Sequence, residues 1–473
     1  MTAVVWFRRD LRLADNPAWT AAAAQGAVAP LFILDDVTPG VRKIGAASRW
    51  WLHHSLRALD AALDNTLILR RGDPLAVLEE VVRATGATAV FWNRLYEPGE
   101  IARDKHIKAA LEARGVSIRT FNALLLNEPW ELKTGAGEPY KVFTPYWRAA
   151  QKRQVEPPLQ APRASIANIV QRDRLDAWRL TPRAPDWAKA WTDIWTPGER
   201  GAHARLMGFV EEGLSDYGAG RDQPDRATVS RLSPHLHWGE VSPRQALAVV
   251  AGSEAPAREA EAFARELYWR EFSHHLLFHY PDLPERNWRS CFDAFPWRTA
   301  PDDLKAWRSG RTGYPFVDAG MRELWATGYM HNRARMVAAS FLVKHLRIHW
   351  REGEAWFWDT LVDADLANNS ASWQWVAGSG ADAAPYFRIF NPVSQGRKCD
   401  PSGAYVRRWI PELAKLPDKF LHAPFEAPEE VLQVAGVTLG RTYAAPIATL
   451  APARDAALAG YEAVRQAALG GAS

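Results

Sequence analysis

Three residues in the middle of the chain have types and a spacing that could hold a polar aromatic ligand. Glu266, Trp269 and Arg270 are spaced i, i+3 and i+4, so a helix would place them on one face. A carboxylate, an indole and a guanidinium on one face can hydrogen-bond to a flat polar ring and stack on it. The same spacing is also typical of a solvent-facing salt-bridge surface, so the pattern alone leaves both interpretations open.

A second group combines an arginine with two carboxylates further along the chain. Asn332, Arg335 and Met336 share a helix face by the same spacing, and the apolar residues after them are predicted to be core. A buried arginine needs a partner, and Asp363 and Asp365 are the candidates. The acidic pair could instead bind a metal or cap a helix, but we find too few further ligands in the sequence for a metal site.

Two tryptophans in a Trp-x-Trp sequence are predicted to face different environments. Trp373 and Trp375 are two residues apart, so in a helix their rings point about 200° away from each other. One indole can therefore face a ligand while the other points into the protein.

Ser233 and Pro234 are typical of a helix start, with the serine as the cap and the proline at the first helical position. Free backbone N–H groups and the helix dipole at such a start favour a phosphate. Plain capping without a ligand is the alternative, because a Ser-Pro pair begins many helices.

The elements that must position these residues begin with an alternation of apolar runs and helical patterns. The sequence predicts strands at 4–7, 31–34, 66–69, 88–92 and 116–121. Between them, Asp73 and Pro74 predict a capped helix start, and Gly86 predicts the end of that helix. The alternation predicts an α/β domain over residues 1–130, built on a doubly wound parallel five-stranded sheet. No Gly-x-Gly-x-x-Gly turn follows the first strand, which gives a nicotinamide-dinucleotide site little support.

Two further regions follow this domain. A chain of 473 residues is too long for one ordinary core, so two domains are expected. Residues 131–200 are rich in proline and are predicted to form an irregular connector over the surface. Residues 201–473 show helical periods and almost no strand pattern, which predicts an all-helical domain.

Composition narrows the functional classes. The net charge of +4 and the pI of about 9.0 permit a nucleic-acid partner without requiring one. The 23 tryptophans could fill a helical core or present aromatic surfaces to a flat ligand, to bases or to an electron path. Cys291 and Cys399 are the only cysteines, which excludes a disulfide scaffold and fits a reducing cytoplasm. We expect no secretory signal and no membrane span.

Several longer motifs resemble the photolyase/cryptochrome family over nearly the whole chain. They lie at residues 5–13 (VWFRRDLRL), 312–315 (TGYP) with 317–319 (VDA), and 384–392 (APYFRIFNP). The resemblance implies that residues 1–130 bind an antenna pigment and that residues 201–473 form a catalytic domain that binds FAD and DNA.

The resemblance also implies a U-shaped FAD among the helices. Arg335 and Asp363 would pair beside the isoalloxazine, Asp365 would contact its ring edge, and Asn369 would face its central-ring nitrogen. The other implied FAD contacts are Tyr217, Ser230, Arg231, Leu232 and Ser233.

Within the family, the pattern resembles a cyclobutane-pyrimidine-dimer photolyase of the bacterial class III group. Asn369 is photolyase-like, since plant-type cryptochromes have an aspartate at this position. Trp269 and Trp375 match the two indoles that sandwich a dimer, and Asn332 and Met336 match the dimer-repair pattern. The implied protein is a carbon–carbon lyase that acts on UV-damaged DNA as a cytoplasmic monomer.

Three other functions stay open. Residues 233–240 (SPHLHWGE) resemble plant-type cryptochromes as well as class III photolyases, which keeps a blue-light receptor as an alternative. Against the receptor, no long polar tail follows Gln395. A (6-4) photolyase would carry a histidine-rich motif around Met330 to Met336, where only His331 is present. The last alternative is a basic DNA-binding protein that holds FAD structurally.

The implied reaction is light-driven electron transfer from reduced FAD to a dimer flipped out of the duplex. Glu266 would hydrogen-bond the bases and act electrostatically. Trp297, Trp350 and Trp373 would carry electrons between the flavin and the surface. The implied catalytic side chains are Glu266, Asn332, Met336 and Asn369. The side chains implied to touch the dimer or the DNA are Arg221, Trp269, Arg270, Asn332, Arg333, Met336, Trp375 and Gln395.

Two positions depart from the family pattern. Val229 stands where many relatives have the threonine that begins the phosphate loop, with Thr228 one residue earlier. Glu100 matches an acidic position of some antenna pockets, but Gly99 stands where those relatives have an asparagine. The implied antenna pigment is methenyltetrahydrofolate, with an 8-hydroxy-deazaflavin as the alternative.

Overall fold

The computed structural model describes residues 1–167, 171–383 and 387–470, so residues 384–386 of the last family motif lie outside the described residues. The chain forms two compact units, each assembled from separate segments. We call them the sheet unit, formed by Met1–Tyr217, Ser230–Pro281 and Val362–Ala367, and the helical unit, formed by Gly218–Val229, Asp282–Leu361 and the residues from Asn368 onward.

A parallel sheet forms the centre of the sheet unit, in the strand order β3-β2-β1-β4-β5. Val4, Trp6, Leu31 and Ile33 are among the buried residues of its core. The predicted doubly wound five-stranded sheet is confirmed. A sixth strand of two residues pairs with the first residues of β2. The strands are β1 (Thr2–Phe7), β2 (Ala27–Leu34), β3 (Ile68–Arg71), β4 (Ala89–Asn93), β5 (Ser117–Phe121) and β6 (Ser165–Ile166).

The first ten helices follow in chain order. The predicted caps of α3 are confirmed, because the Asp73 carboxylate accepts from the Ala76 N–H at 2.9 Å and Gly86 ends the helix at φ 64°. The helices are α1 (Pro17–Ala23), α2 (Ala46–Ala62), α3 (Pro74–Thr85), α4 (Pro98–Glu112), α5 (Phe143–Ala150), α6 (Glu199–Glu212), α7 (Tyr217–Gly220), α8 (Ser233–His237), α9 (Pro243–Ala251) and α10 (Ala257–His279).

The segment between residues 131 and 200 is more regular than its prolines predict. It contains β6 and the helix α5, which buries Phe143, Tyr146, Trp147 and Ala150. These four residues recur at i, i+3, i+4 and i+7, which is the spacing of an amphipathic helix face. The expectation of an irregular connector was therefore wrong for these residues.

The remaining helices form most of the helical unit. The described residues of this unit contribute no strand to the sheet. A π-helical turn over Phe341–His345 follows α13. The helices are α11 (Pro301–Arg308), α12 (Pro315–Thr327), α13 (Asn332–Ser340), α14 (Trp350–Thr360), α15 (Leu366–Ala377), α16 (Pro392–Cys399), α17 (Ala404–Trp409), α18 (Asp418–Leu421), α19 (Glu429–Ala435) and α20 (Leu450–Gly470). Among the described residues, we find no helix with the length and apolarity that a bilayer crossing requires.

Candidate active site

The predicted phosphate-binding residues lie in the loop that leads into α8, and one of them bonds to one of the two acidic residues. The Ser233 hydroxyl donates to Asp363 Oδ2 at 2.5 Å. The expectation that Ser233 caps the helix was wrong, because α8 begins at Ser233 itself and no side chain caps it. The hydroxyl is directed to a carboxylate instead, and Arg231 takes a left-handed backbone conformation (φ 50°) to bring the chain into α8.

Asp365 lies between two buried histidines of the sheet unit. Its Oδ2 atom is 3.6 Å from His237 Nδ1 and 3.4 Å from His274 Nε2. Burial alone would raise the pKa of Asp365, but the two imidazoles hold it well below its ordinary value. Burial lowers the pKa of His237. The carboxylate of Asp365 is therefore a fixed negative charge, and sequence reasoning had not assigned either histidine a role.

The predicted face of α10 is formed, but its arginine points inward. Trp269 is half-buried and lies against the ring of Phe143, with ring centroids 3.6 Å apart and planes 11° from parallel. Arg270 donates to the main-chain carbonyls of Leu124 at 2.9 Å and Leu236 at 3.3 Å, and burial lowers its pKa. The expectation that Arg270 contacts DNA stays a prediction. Glu266 remains partly exposed.

Tyr217 is part of an aromatic cluster in the sheet unit. Its ring centroid lies 5.7 Å from that of Phe209 and 5.8 Å from that of Phe263, with both pairs edge to face. These contacts fix the ring plane of Tyr217 at the start of α7, directly before the chain enters the segment that leads to the 230–233 loop.

Glu100 is bound to an arginine of the first family motif. The Arg9 guanidinium forms ion pairs with both Glu97 and Glu100. Burial raises the pKa of Glu100 to about 7. A side chain at Gly99 would collide with the carbonyl of Gly40, which explains why this chain has a glycine at this position.

Asn369 is held by a residue that sequence reasoning had missed. The Asn369 amide donates to the Glu354 carbonyl at 3.0 Å and to Glu354 Oε1 at 2.8 Å. Because both bonds fix the amide nitrogen, the side-chain orientation of Asn369 is set by α14. The two residues are 15 positions apart on different helices, so no local pattern could identify Glu354.

The predicted face of α13 is formed within the helical unit. The Asn332 amide lies 3.9 Å from the Met336 sulfur, which brings these two predicted catalytic residues together. Arg335 Nε donates to the Met330 carbonyl at 2.7 Å, so the helix start orients its guanidinium.

The Trp-x-Trp residues face different environments, as predicted. Trp373 is only 2% exposed, whereas Trp375 is half-buried. The Trp373 ring packs edge to face against Phe357 at 5.0 Å and Trp307 at 6.2 Å. It also lies on Gly353, where a Cβ atom would overlap the indole.

Trp350 and Trp297 lie in the same unit and contact the same histidine ring. Trp350 is fully buried, and its indole N–H donates to Asn287 Oδ1 at 2.9 Å. His349 links the two indoles, because its ring lies 5.6 Å from Trp350 and 4.8 Å from Trp297. Gly353 is one helical turn from Trp350, so the backbone of α14 also connects the Trp350 and Trp373 packing sites.

A cavity of about 570 Å³ in the helical unit, which we call the basic cavity, collects several cationic and amide side chains. Its polar lining is formed by Arg333, Arg388, Asn391, Ser394, Gln395, Lys398 and Arg454. Two of the predicted DNA contacts, Arg333 and Gln395, are thus brought together, and Arg221 is half-buried on another segment of the unit. A cavity whose described lining has four cations and no acidic residue favours a polyanion.

Comparison with family models matches both halves of the chain. A model described as DNA photolyase matches residues 3–163. A second model, described as the FAD binding domain of DNA photolyase, matches residues 263–463.

Two curated relatives and one solved structure are similar over most of their lengths. The deoxyribodipyrimidine photo-lyase of Agrobacterium fabrum is 49% identical, with 98% of each chain covered. Cryptochrome-1 of Arabidopsis thaliana is 42% identical, over 96% of this chain and 69% of the relative. The crystal structure of a class III photolyase from Agrobacterium tumefaciens superposes with a TM-score of 0.95 at 49% identity, with 98% of both chains covered.

Proposed function

The chain belongs to the photolyase/cryptochrome family, and from this membership we propose that it uses light to repair cyclobutane pyrimidine dimers in DNA. The observation that carries the proposal is the half-buried indole of Trp269, which has one ring face against protein and lies one helical turn from Glu266. A flat apolar surface beside a carboxylate suits a pyrimidine base, which can stack on the ring and donate hydrogen bonds.

The residues present fit FAD, the cofactor of the matched domain. Thr228 Oγ1 and Ser370 Oγ are buried hydroxyls with no hydrogen-bond partner among the described residues, so each can bond a polar cofactor. When bound, reduced FAD supplies the photoexcited electron that opens the cyclobutane ring. The side chains that we expect to hold FAD are Tyr217, Ser230, Arg231, Leu232, Ser233, Arg335, Asp363, Asp365 and Asn369.

The substrate is proposed to be a dimer that has left the duplex. Flipping costs a few kcal/mol, and less for a damaged pair, so the lesion is selected in part by its own weak pairing. Trp269 and Trp375 each offer a base a stacking surface, worth about 1–3 kcal/mol per base. Glu266 hydrogen-bonds the bases and orients them, while Asn332 and Met336 contact the dimer from α13.

Binding to the DNA backbone is assigned to the basic cavity and its surroundings. Arg333 and Gln395 line the cavity, and Arg221 belongs to the same unit. Side chains that neutralise phosphates release counterions, so affinity falls as salt rises. Arg270 stays a proposed DNA contact of the sheet unit, where its guanidinium also donates to two main-chain carbonyls.

Supply of electrons to oxidised flavin is assigned to Trp373, Trp350 and Trp297. The support for this role is the ring contact of His349 with both Trp350 and Trp297, which leads from a fully buried indole to a half-buried one, and the contact of Trp373 with Gly353 one helical turn from Trp350. Two of the three indoles also have a fixed position, because Trp373 packs on Gly353 and the Trp350 N–H donates to Asn287.

An antenna pigment is proposed for the sheet unit, with methenyltetrahydrofolate preferred over an 8-hydroxy-deazaflavin. The support is the buried cluster of Arg9, Glu97 and Glu100, which could bond the polar groups of a pterin. The absorption spectrum of pigment released from the purified protein distinguishes the two, because their chromophores differ. We further propose that the enzyme acts as a monomer in the cytoplasm, which size-exclusion chromatography with light scattering and cell fractionation would test.

Illumination of the reduced, purified protein with an oligonucleotide that contains one cyclobutane dimer tests the repair function. We expect the dimer to disappear under blue light and to persist in the dark, with a (6-4) photoproduct left intact. Blue-light receptor function is the second candidate, favoured by the 42% identity to Arabidopsis cryptochrome-1. A protein that binds FAD and responds to light but leaves the dimer intact would be assigned to that candidate.

A further inference from the structure

One face of the Trp269 indole is covered by an aromatic ring from another helix. The Phe143 and Trp269 centroids are 3.6 Å apart and the planes are within 11° of parallel, so the two rings lie face to face. Trp269 is nevertheless half-buried, while Phe143 is fully buried. A base that stacks on this indole can therefore use only the face opposite Phe143.

Phe143 cannot turn away from the indole, because α5 is held against α10 by several contacts. Tyr146, one turn along α5, donates from its hydroxyl to Glu271 Oε1 at 3.0 Å. Trp147 packs edge to face on Tyr268 at 4.8 Å. These contacts place α5 beside the two residues that flank Trp269 and Arg270 on α10.

A third ring fixes the angle of the pair. Phe272 packs edge to face on both rings, with centroids 5.8 Å from Phe143 and 6.0 Å from Trp269. An indole with one face covered and one edge blocked is held in a single orientation. Rigid ring planes lower the entropy that is lost when a ligand stacks.

We infer that Phe143 is a positioning residue for lesion recognition, which sets the plane of Trp269 against which a base of the dimer stacks. This inference rests on the proposed repair function and deepens it, because it assigns a task to a helix of the segment between residues 131 and 200. Phe143 has no contact with the substrate in this role and acts only through Trp269.

The experiment measures binding of the FAD-loaded protein to dimer-containing and undamaged oligonucleotides of the same sequence, in the dark. Phe143→Leu should weaken binding to the dimer by about three- to tenfold and leave binding to undamaged DNA unchanged, since one aromatic pair is worth that factor. Phe143→Tyr keeps the stacked ring and should restore the preference. Phe91→Leu is the matched control, because it truncates a buried phenylalanine of the sheet unit that packs on Phe121 instead.

A double-mutant cycle separates positioning from a general loss of structure. In a Trp269→Ala background, Phe143→Leu should cause no further loss of dimer affinity. A further loss there, or an equal loss on undamaged DNA, would overturn the inference. If the parent protein itself shows no preference for the dimer, the proposed function fails and this inference fails with it; an intact preference in Phe143→Leu overturns the inference alone.

Discussion

Asp222 and Arg333 form an ion pair with an oxygen-to-nitrogen distance of 2.5 Å, although they are 111 positions apart in the chain. Arg333 lines the basic cavity, so a phosphate that approaches this arginine must compete with a carboxylate already in place. Nearly half of the Asp222 side chain is exposed, which keeps the pair weak enough to be exchanged for a phosphate.

Substitution of Asp222 by Asn is expected to raise the affinity for DNA by about two- to fivefold at low salt, since an exposed ion pair contributes little. The affinity for damaged duplex and the affinity for undamaged duplex should rise equally, because the contact is made to the DNA backbone. Arg333→Gln should lower affinity for both and reduce the slope of log affinity against log salt by about one. Titration by fluorescence anisotropy at several salt concentrations measures both effects, and a gain in Asp222→Asn limited to damaged DNA would contradict the assignment.

Asn369→Asp is expected to make stability depend on pH. The substitution puts a second carboxylate where the Asn369 amide now bonds Glu354 Oε1 at 2.8 Å, and two buried carboxylates at this distance cannot both ionise. The pKa of the pair is raised in the folded state, so the variant should lose stability as pH rises from about 4 to 8, by about 1.4 kcal/mol for each unit of pKa displacement. Urea unfolding at several pH values measures this, with Asn369→Ala as the uncharged control. A loss of stability in Asn369→Asp that is the same at every pH would exclude repulsion between the two carboxylates as its cause.

Glu100→Gln is expected to remove a pH dependence that the parent protein has. Burial raises the pKa of Glu100 to about 7, so its protonated form is favoured in the folded state relative to the unfolded chain. The stability associated with this group is complete below about pH 4 and is lost as pH rises through about 7, by an amount on the order of 3 kcal/mol. The free energy of unfolding should therefore fall less between pH 4 and pH 8 in Glu100→Gln than in the parent. An equal fall in both proteins would rule out a raised pKa at this site.

Trp350→Phe is expected to slow photoreduction of the oxidised flavin while sparing repair by enzyme that has been reduced beforehand. Phenylalanine retains most of the buried ring volume but is far harder to oxidise than an indole, and it lacks the N–H that bonds Asn287. Trp6→Phe is the control, because Trp6 is a buried indole of the sheet unit. Absorbance at the oxidised flavin band under blue light follows the reaction, and equal rates in parent and Trp350→Phe would remove Trp350 from the path.

The sheet and the capped helix α3 could be predicted because their determinants are local. Each strand is a short apolar run, and Asp73 and Gly86 mark the two ends of α3 within 14 residues. The prediction missed α5 because its buried face, which begins at Phe143, lies in a proline-rich segment whose composition suggested irregular structure. The spacing of its four buried residues, at i, i+3, i+4 and i+7, was the signal that could have identified this helix.

The candidate site was predictable in its residue types but less so in its contacts. The α10 and α13 faces follow from i, i+3 and i+4 spacing, and the different environments of Trp373 and Trp375 follow from the helical period. The partners of Arg333, Asn369 and Asp365 are Asp222, Glu354 and a pair of histidines. Since each partner comes from a distant segment, only the folded chain reveals them.

If electrons reach the flavin through Trp373, as proposed above, the contact of this indole with Gly353 bears on the rate of flavin reduction. Tunnelling between aromatic rings weakens exponentially with their separation, and the Trp373 indole rests on bare backbone where any side chain would displace it. In the proposed electron path, the transfer rate therefore depends on the absence of a side chain at position 353 as well as on the tryptophans.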